Sequence, residues 1–176
     1  MSDLKRPCVI DTNVLLAANK DARDQVSLEC AAKCAKVLND IRRFGHVVVD
    51  NLRRIVSEYQ NKTLKKGRQR EAGDEFLLWL LQNLWVKERC TQVPVTSKQE
   101  DDLDFEEFPD TDGLRRFDRS DRVFVAVANA HNPKAPILQA CDSDYWDAWE
   151  HLAACGIHIE FLCPDDMKRI IDGRQS

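Results

Sequence analysis

The chain has 176 residues, of which 43% are hydrophobic and 32% charged, a composition typical of one ordinary globular domain. Its net charge of -4 provides no global basic field of the kind that attracts nucleic acids. No apolar run approaches the roughly 20 residues that cross a bilayer, and Met1 to Pro7 lacks the apolar core of a signal peptide. We therefore expect a cytoplasmic protein with no membrane partner.

The 7 cysteines are an odd number and are scattered along the chain. This usage favours reduced thiols in a cytoplasm over a disulfide framework. Cys30 and Cys34 share one helical face, but the CxxC pairs of a zinc site are missing. Several other cysteines lie within apolar runs, where cysteine packs as a small hydrophobic residue. We therefore predict free, structural thiols.

The apolar run Cys8 to Leu16 is interrupted by Asp11, Thr12 and Asn13. Such a run near the start of a chain predicts a buried strand of a parallel sheet. Asp11 then lies at the carboxyl end of the strand, where open α/β sheets bind ligands. A buried carboxylate needs a partner or a metal. Asp11 or Thr12 could equally cap a helix from about Val14, so both interpretations stay open at this point.

The elements that follow are predicted from apolar spacing and from capping, Gly and Pro residues. In order they are helix 25–43, strand 46–50, helix 51–64, helix 74–86, a brief strand 91–95, helix 117–130, strand 136–141, helix 145–154 and strand 157–163. Alternating strands and helices predict one three-layer α/β/α domain, residues 1–176, around a central and mostly parallel sheet.

Two charged segments interrupt this pattern. A basic segment contains Arg53, Arg54, Lys62, Lys65, Lys66, Arg68 and Arg70. An acidic stretch within an insertion at about 93–116 contains Glu100, Asp101, Asp102, Asp104, Glu106, Glu107, Asp110 and Asp112. The simplest interpretation of the basic segment is a solvated face followed by a mobile loop, and we expect the acidic stretch to be a solvated loop.

Several other acids fall where such a fold places its ligand-binding edge. Asp142 ends a predicted strand, as Asp11 does, and Asp118 and Asp121 open a helix. Glu58 borders the apolar stripe of its own helix. Like charges in one pocket repel, and a hard cation such as Mg²⁺ or Mn²⁺ relieves that repulsion. Such a site can activate water and stabilise the charge of a phosphodiester.

Each of these acids also has a structural alternative. Asp118 and Asp121 could form a capping pair, and Asp142 with Asp144 could cap the helix that follows them. Glu58 could form an ion pair with Arg54, four residues earlier. The metal-site interpretation requires all these acids to meet at one edge, whereas the alternatives are independent of one another.

Four segments resemble, in chain order, the motifs of PIN-domain nucleases. They are Val9 to Leu16 (VIDTNVLL), Glu58 in its helix, Asp118 to Ala128 (DRSDRVFVAVA), and Leu138 to Tyr145 with its Asp142 and Asp144. The resemblance extends from about Cys8 to Pro164. One departure is Ala140, where the family often has Thr or Ser.

This resemblance implies a metal-dependent nuclease, most often an endoribonuclease acting on single-stranded RNA. Asp11, Glu58, Asp121 and Asp142 would be its catalytic, metal-binding acids, with Asp118 and Asp144 as auxiliary ligands. Thr12 or Asn13 would orient Asp11 or a water beside the substrate. The cation implied is Mg²⁺ or Mn²⁺.

In this hypothesis the basic segment guides the phosphate backbone toward the acids, and the acidic stretch competes for it. One alternative is a catalytically inactive module of the same fold that binds RNA or a protein partner, including a second copy of itself. A phosphatase of another α/β class is disfavoured because Asp11-Thr12-Asn13 lacks the second Asp of a DxD nucleophile motif.

Overall fold

A computed structural model of the chain describes residues 6–21, 26–65, 67, 69–99 and 101–174. Its centre is a sheet of five parallel strands in the spatial order β3-β2-β1-β6-β7, and a two-stranded antiparallel hairpin, β4-β5, lies apart from it. The strands are β1 (Pro7–Ile10), β2 (His46–Asp50), β3 (Cys90–Val93), β4 (Ser97–Lys98), β5 (Asp101–Phe105), β6 (Ile137–Gln139) and β7 (Ile159–Phe161).

Seven α-helices within the described ranges flank the central sheet. They are α1 (Thr12–Ala18), α2 (Leu28–Phe44), α3 (Arg54–Lys62), α4 (Ala72–Asn83), α5 (Arg122–Ala130), α6 (Ser143–Ala154) and α7 (Pro164–Arg174). Helices α1, α2 and α4 pack on one another, while α5 packs on β1, β2 and β6. This arrangement confirms the predicted three-layer α/β/α fold. No helix in these ranges is long and apolar enough to cross a membrane.

The central position of β1 determines where the predicted site residues lie. Its side chains from Cys8 to Ile10 are buried, as expected of a strand with neighbours on both sides. Val9 lies opposite Ile137 of β6, and Cys8 lies opposite Val47 of β2. Because parallel strands share one direction, the residues that follow β1 and β6 emerge at the same edge of the sheet.

Local capping explains where the helices begin. The Asp50 carboxylate accepts the backbone N–H groups of Arg54 and Ile55, at 2.8 and 2.9 Å, so α3 begins at Arg54 rather than directly after the strand. Ser27 caps α2 through the N–H of Cys30. Gln25, the predicted start of that helix, lies outside the described residues.

The prediction of a solvated acidic loop was wrong for part of that segment. Strand β5 belongs to the hairpin, and the side chains of Phe105 and Phe108 are 1% and 5% exposed. Arginines bind the hairpin acids in three pairs: Arg54 with Asp102, Arg119 with Asp101 and Arg122 with Asp104. These two anchoring Phe residues and the arginine partners fix a segment whose composition suggested a loop. Glu100 lies outside the described residues.

The prediction that all cysteines are free thiols was also wrong. Cys30 of α2 and Cys163, directly before α7, form a disulfide between residues 133 positions apart. Only the folded chain brings them together, so their spacing in the sequence gave no signal. Helix α7 was itself missed, although Met167, Ile170 and Ile171 stand at helical spacing; Met167 is its only buried apolar residue. Cys8 and Cys90 are free and buried, as predicted.

Candidate functional site

Asp11 lies at the carboxyl end of β1 and is 2% exposed. It is the N-cap of α1, since its Oδ1 accepts the backbone N–H of Asn13 at 2.9 Å. Its Oδ2 is buried and has no hydrogen-bond partner among the described residues. The two interpretations of Asp11 are therefore compatible, because capping occupies one carboxylate oxygen and leaves the other available to a ligand.

Glu58 is brought to Asp11 by the packing of α3. The helix buries Ile55, Val56 and Tyr59, and the Tyr59 hydroxyl donates to the carbonyl oxygen of Ile10 at the end of β1. Glu58 Oε1 accepts a hydrogen bond from Thr12 Oγ1 at 2.6 Å. The alternative, an ion pair of Glu58 with Arg54, is not formed, because the Arg54 guanidinium binds the hairpin instead.

Asp142 approaches from the other side of β1. It is the N-cap of α6, with its Oδ1 accepting the N–H of Asp144 at 2.7 Å. Its Oδ2 accepts a hydrogen bond from Nδ2 of Asn13 at 2.9 Å. Asn13 therefore bonds to Asp11 through its backbone and to Asp142 through its side chain. As with Asp11, capping and membership of an acidic cluster coexist.

Asp121 and Asp118 enter at the start of α5 and differ in character. Asp121 is half-buried at the N-cap position but makes no side-chain capping bond. Asp118 is exposed, and its Oδ1 accepts both the N–H and the hydroxyl of Ser120. Asp144 is exposed on the first turn of α6. Asp118 and Asp144 therefore lie at the periphery of the cluster.

Electrostatic coupling shows that the predicted acids lie within one another's field. Burial, followed by repulsion from Asp142 and Glu58, raises the pKa of Asp11 from 3.8 to about 7. Burial also raises the pKa of Asp121 to about 9, with repulsion from Asp11, Asp142, Asp118 and Glu58 adding to it. The structure thus concentrates negative charge at a partly desolvated edge.

The remaining shifts follow each group's surroundings. Burial raises the pKa of Glu58 despite the Thr12 hydrogen bond, and burial followed by repulsion from Asp142 raises the pKa of Asp144. Hydrogen bonds from Ser120 lower the pKa of Asp118. No salt bridge to Asp11, Glu58, Asp121 or Asp142 occurs within the described part of the chain.

Two residues that the sequence reasoning missed complete the site. Gln139 and Tyr145 are fully buried and lie close to the Asp11 carboxylate, so that a hydrogen bond from Gln139 partly offsets the effect of burial on the pKa of Asp11, and burial followed by the nearby Asp11 raises the pKa of Tyr145. Gln139 Nε2, Tyr145 Oη and Asp11 Oδ2 nevertheless form no hydrogen bond of good geometry in the described ranges, so these three neighbouring groups are only weakly paired. Gln139 could have been found, because it is the one strongly polar residue in the apolar run 136–141. Tyr145 gave no comparable signal.

The donor set of the acids suits a hard cation, since it consists of carboxylate oxygens without His or Cys. Among the described residues, no three of these acids bring one oxygen each within 4.8 Å of one another. Mg²⁺ usually keeps several water ligands and needs only one or two direct carboxylates. Asp11 Oδ2, which forms no hydrogen bond of good geometry among the described residues, supplies one such direct donor, so the residues fit a partly hydrated cation.

The basic segment is only partly available to a substrate. Arg54 donates to Asp102 and Ser97 of the hairpin and lies over the Phe105 ring, 5.4 Å from its centre. Other members pair with acids, Lys65 with Asp21 at 3.3 Å and Arg70 with Glu75 at 3.9 Å.

Arg53 and Lys62 are exposed at the two ends of α3, the helix that carries Glu58. Lys66 and Arg68 lie outside the described residues.

Comparison of the chain with protein-family models, with curated proteins and with solved structures found no match.

Proposed function

We propose that the protein is a divalent-metal-dependent nuclease that hydrolyses phosphodiester bonds of single-stranded RNA. Asp11, Glu58, Asp121 and Asp142 are its metal-binding acids, and Mg²⁺ or Mn²⁺ is its cation. The observation that carries the proposal is the buried Asp11 carboxylate, whose Oδ2 forms no hydrogen bond of good geometry among the described residues and which lies in the field of Asp142 and Glu58. An arrangement of this kind is costly for folding, and a bound cation offsets the cost.

The residues around the acids have positioning roles in this proposal. The Thr12 hydroxyl fixes one oxygen of Glu58, and the Asn13 side chain fixes one oxygen of Asp142. Glu58 then directs its other oxygen with a restricted orientation, whereas both oxygens of Asp142 already accept a hydrogen bond and bind a cation through their remaining lone pairs. A cation held there stabilises the charge that develops on a phosphodiester during hydrolysis.

The substrate class comes from the resemblance of the four motifs. Two features of the described residues support a phosphate backbone as ligand. Arg53 and Lys62 are exposed at the ends of α3, so they flank Glu58 on its own helix. Positive side chains beside a metal-binding acid attract phosphates and offset the chain's negative net charge.

Incubation of the purified full chain with an end-labelled single-stranded RNA and Mn²⁺ tests the proposal. The wild type is expected to produce internal cleavage products, which disappear when EDTA is added. Asp11→Asn and Asp142→Asn are expected to abolish cleavage while keeping the fold. Asp40→Asn provides a matched control, because Asp40 is an acid on α2 that pairs with Lys36 at the surface.

Cleavage that persists in Asp11→Asn, or that does not depend on a divalent cation, would refute the proposal. RNA binding without cleavage by the wild type, under conditions in which Mn²⁺ binds, would instead identify the inactive RNA-binding module. A parallel assay with single-stranded DNA of the same sequence tests the preference for RNA.

A further inference from the structure

A second group of potential ligands lies outside the acidic cluster and consists of sulfur atoms. Cys30 and Cys34, one turn apart on α2, meet Cys163, and the three sulfur atoms all lie within 4.8 Å of one another. All three side chains are buried. Cys30 also lies within the same distance of Cys141 and Asp166, whose ligand atoms are equally close to each other. The two groups share Cys30, and Cys141 lies within this distance of Cys30 but not of Cys34 or Cys163, so it completes a four-sulfur site only if its side chain moves toward them.

The disulfide accounts for only two of these four cysteines. Cys34 remains a thiol in the core, with its Sγ 3.9 Å from Sγ of Cys163. Zinc–sulfur bonds of about 2.3 Å in a tetrahedron place neighbouring sulfur atoms about 3.8 Å apart. The Cys34–Cys163 separation therefore matches one edge of a thiolate zinc site.

We propose that the reduced protein binds one thiophilic divalent cation, such as Zn²⁺, through Cys30, Cys34 and Cys163, with Cys141 as the fourth ligand. The disulfide form is the alternative state of the same residues. A dithiol reductant transfers two electrons and two protons to the Cys30–Cys163 bond, giving two thiols and an oxidised reductant. Binding of the cation to the four thiols then releases four protons.

The location of the group allows both reactions. Cys30 and Cys163, although buried, are among the residues that line a surface cleft with Lys33 and Asp166, which provides an approach from solvent toward the disulfide. Asp166 already accepts the backbone N–H of Ser27 and binds Arg169. Cys141 has no such role and is half-buried, which favours it as the fourth ligand.

The cation would connect α2, the loop after β6 and the start of α7. The two metal sites differ in ligand chemistry, since soft thiolates select Zn²⁺ or Co²⁺ whereas carboxylates select Mg²⁺ or Mn²⁺. The thiolate site is therefore independent of the proposed nuclease function, and either can fail without the other. Cys141 directly precedes Asp142, so the two sites are also neighbours along the chain.

Titration of the full chain with Co²⁺ after complete reduction and removal of metals tests the site. The experiment uses an Asp11→Asn background with excess Mg²⁺, so that carboxylates contribute little to cobalt binding. We expect one equivalent of Co²⁺, with a tetrahedral ligand-field spectrum and thiolate-to-cobalt charge-transfer absorption. Zn²⁺ should displace it stoichiometrically. The oxidised protein should bind no thiolate-coordinated cobalt.

Cys34→Ala should weaken cobalt binding by more than the about 10- to 100-fold that loss of an outer-shell partner costs. Cys90→Ala is the matched control, because Cys90 is also a buried free thiol but lies in β3, outside the group. Cys141→Ser should change the charge-transfer intensity if Cys141 is the fourth ligand, and Asp166→Asn should not.

Absence of thiolate-to-cobalt absorption in the reduced protein would overturn the proposal without any variant, whatever the stability of Cys34→Ala. Equal binding by the reduced and oxidised forms would overturn it as well. An effect of Asp166→Asn and not of Cys141→Ser would reject Cys141 as the fourth ligand.

Discussion

The charge of Asp11 can be tested by the pH dependence of stability in the absence of metal. The pKa of Asp11 rises from 3.8 to about 7 in the folded protein. A folded state that binds the proton more tightly loses stability as the pH rises between these two values. A shift of about three pKa units, at about 1.4 kcal/mol each, sets an upper bound of about 4 kcal/mol on the stability that ionisation of Asp11 removes. Asp11 and Asp121 repel each other, so part of this destabilisation belongs to Asp121. We therefore expect Asp11 alone to account for about half of the upper bound or more.

Asp11→Asn removes the charge and retains an oxygen that can accept the Asn13 N–H. The variant should be more stable than wild type at high pH. The difference between their free energies of unfolding should grow from near zero at about pH 4 to about 2–4 kcal/mol at about pH 8. Urea unfolding followed by tryptophan fluorescence in EDTA measures this difference. Any change in hydrogen bonding adds an offset that does not depend on pH, so the slope is diagnostic.

Asp40→Asn should show no comparable slope, because Asp40 is paired with Lys36 at the surface. Saturating Mn²⁺ should stabilise the wild type, by about 2.7 kcal/mol at 100 times the dissociation constant, and so reduce or reverse the advantage of Asp11→Asn. A difference between wild type and Asp11→Asn that is constant across this pH range would refute the electrostatic reasoning.

Three further predictions concern neighbouring contacts. Thr12→Val removes the hydrogen bond to Glu58 and should weaken Mn²⁺ binding about 10-fold or more, measured by Mn²⁺ titration of the cleavage rate, with Thr111→Val, on an exposed loop, as control. Asp102→Asn removes the charge that pairs with Arg54, which keeps its hydrogen bonds to Ser97 and to the backbone carbonyl of residue 102, and should tighten RNA binding up to about fivefold at low salt; unchanged binding in an Asp11→Asn background would exclude competition by the Asp102 charge. Tyr59→Phe leaves the Ile10 carbonyl without its donor and should cost about 1–3 kcal/mol of unfolding free energy, measured with urea; a loss below about 0.5 kcal/mol would contradict that role.

The sequence predicted the architecture well, because it depends on strong local signals. Three segments have patterns typical of only one kind of element. The run that ends at Asp11 and the β-branched segment His46–Asp50 are typical of buried strands, and the small residues of α5 are typical of a helix packed on a sheet. Asp11, Glu58, Asp121 and Asp142 could be placed at one edge because parallel strands share a direction. This prediction needed only the order and direction of the strands, not any side-chain contact.

Features that depend on side-chain contacts between distant segments were not predictable. The hydrogen bonds of Thr12 with Glu58 and Asn13 with Asp142 join residues 46 and 129 positions apart. The Cys30–Cys163 disulfide also joins distant segments, and so does the pairing of Arg54 with Asp102 rather than with Glu58. In each case several partners were chemically equivalent in the sequence, and only the folded geometry selects among them.

The central position of β1 has a consequence for biosynthesis. A nascent chain acquires Asp11 and Glu58 early, but Asp142 can join them only after β6 has been synthesised and has paired with β1. Growing chains that end just before β6 therefore contain three of the four acids, Asp11, Glu58 and Asp121, and lack Asp142 and its hydrogen bond from Asn13. Assembly of the whole cluster is thus delayed until most of the polypeptide has left the ribosome.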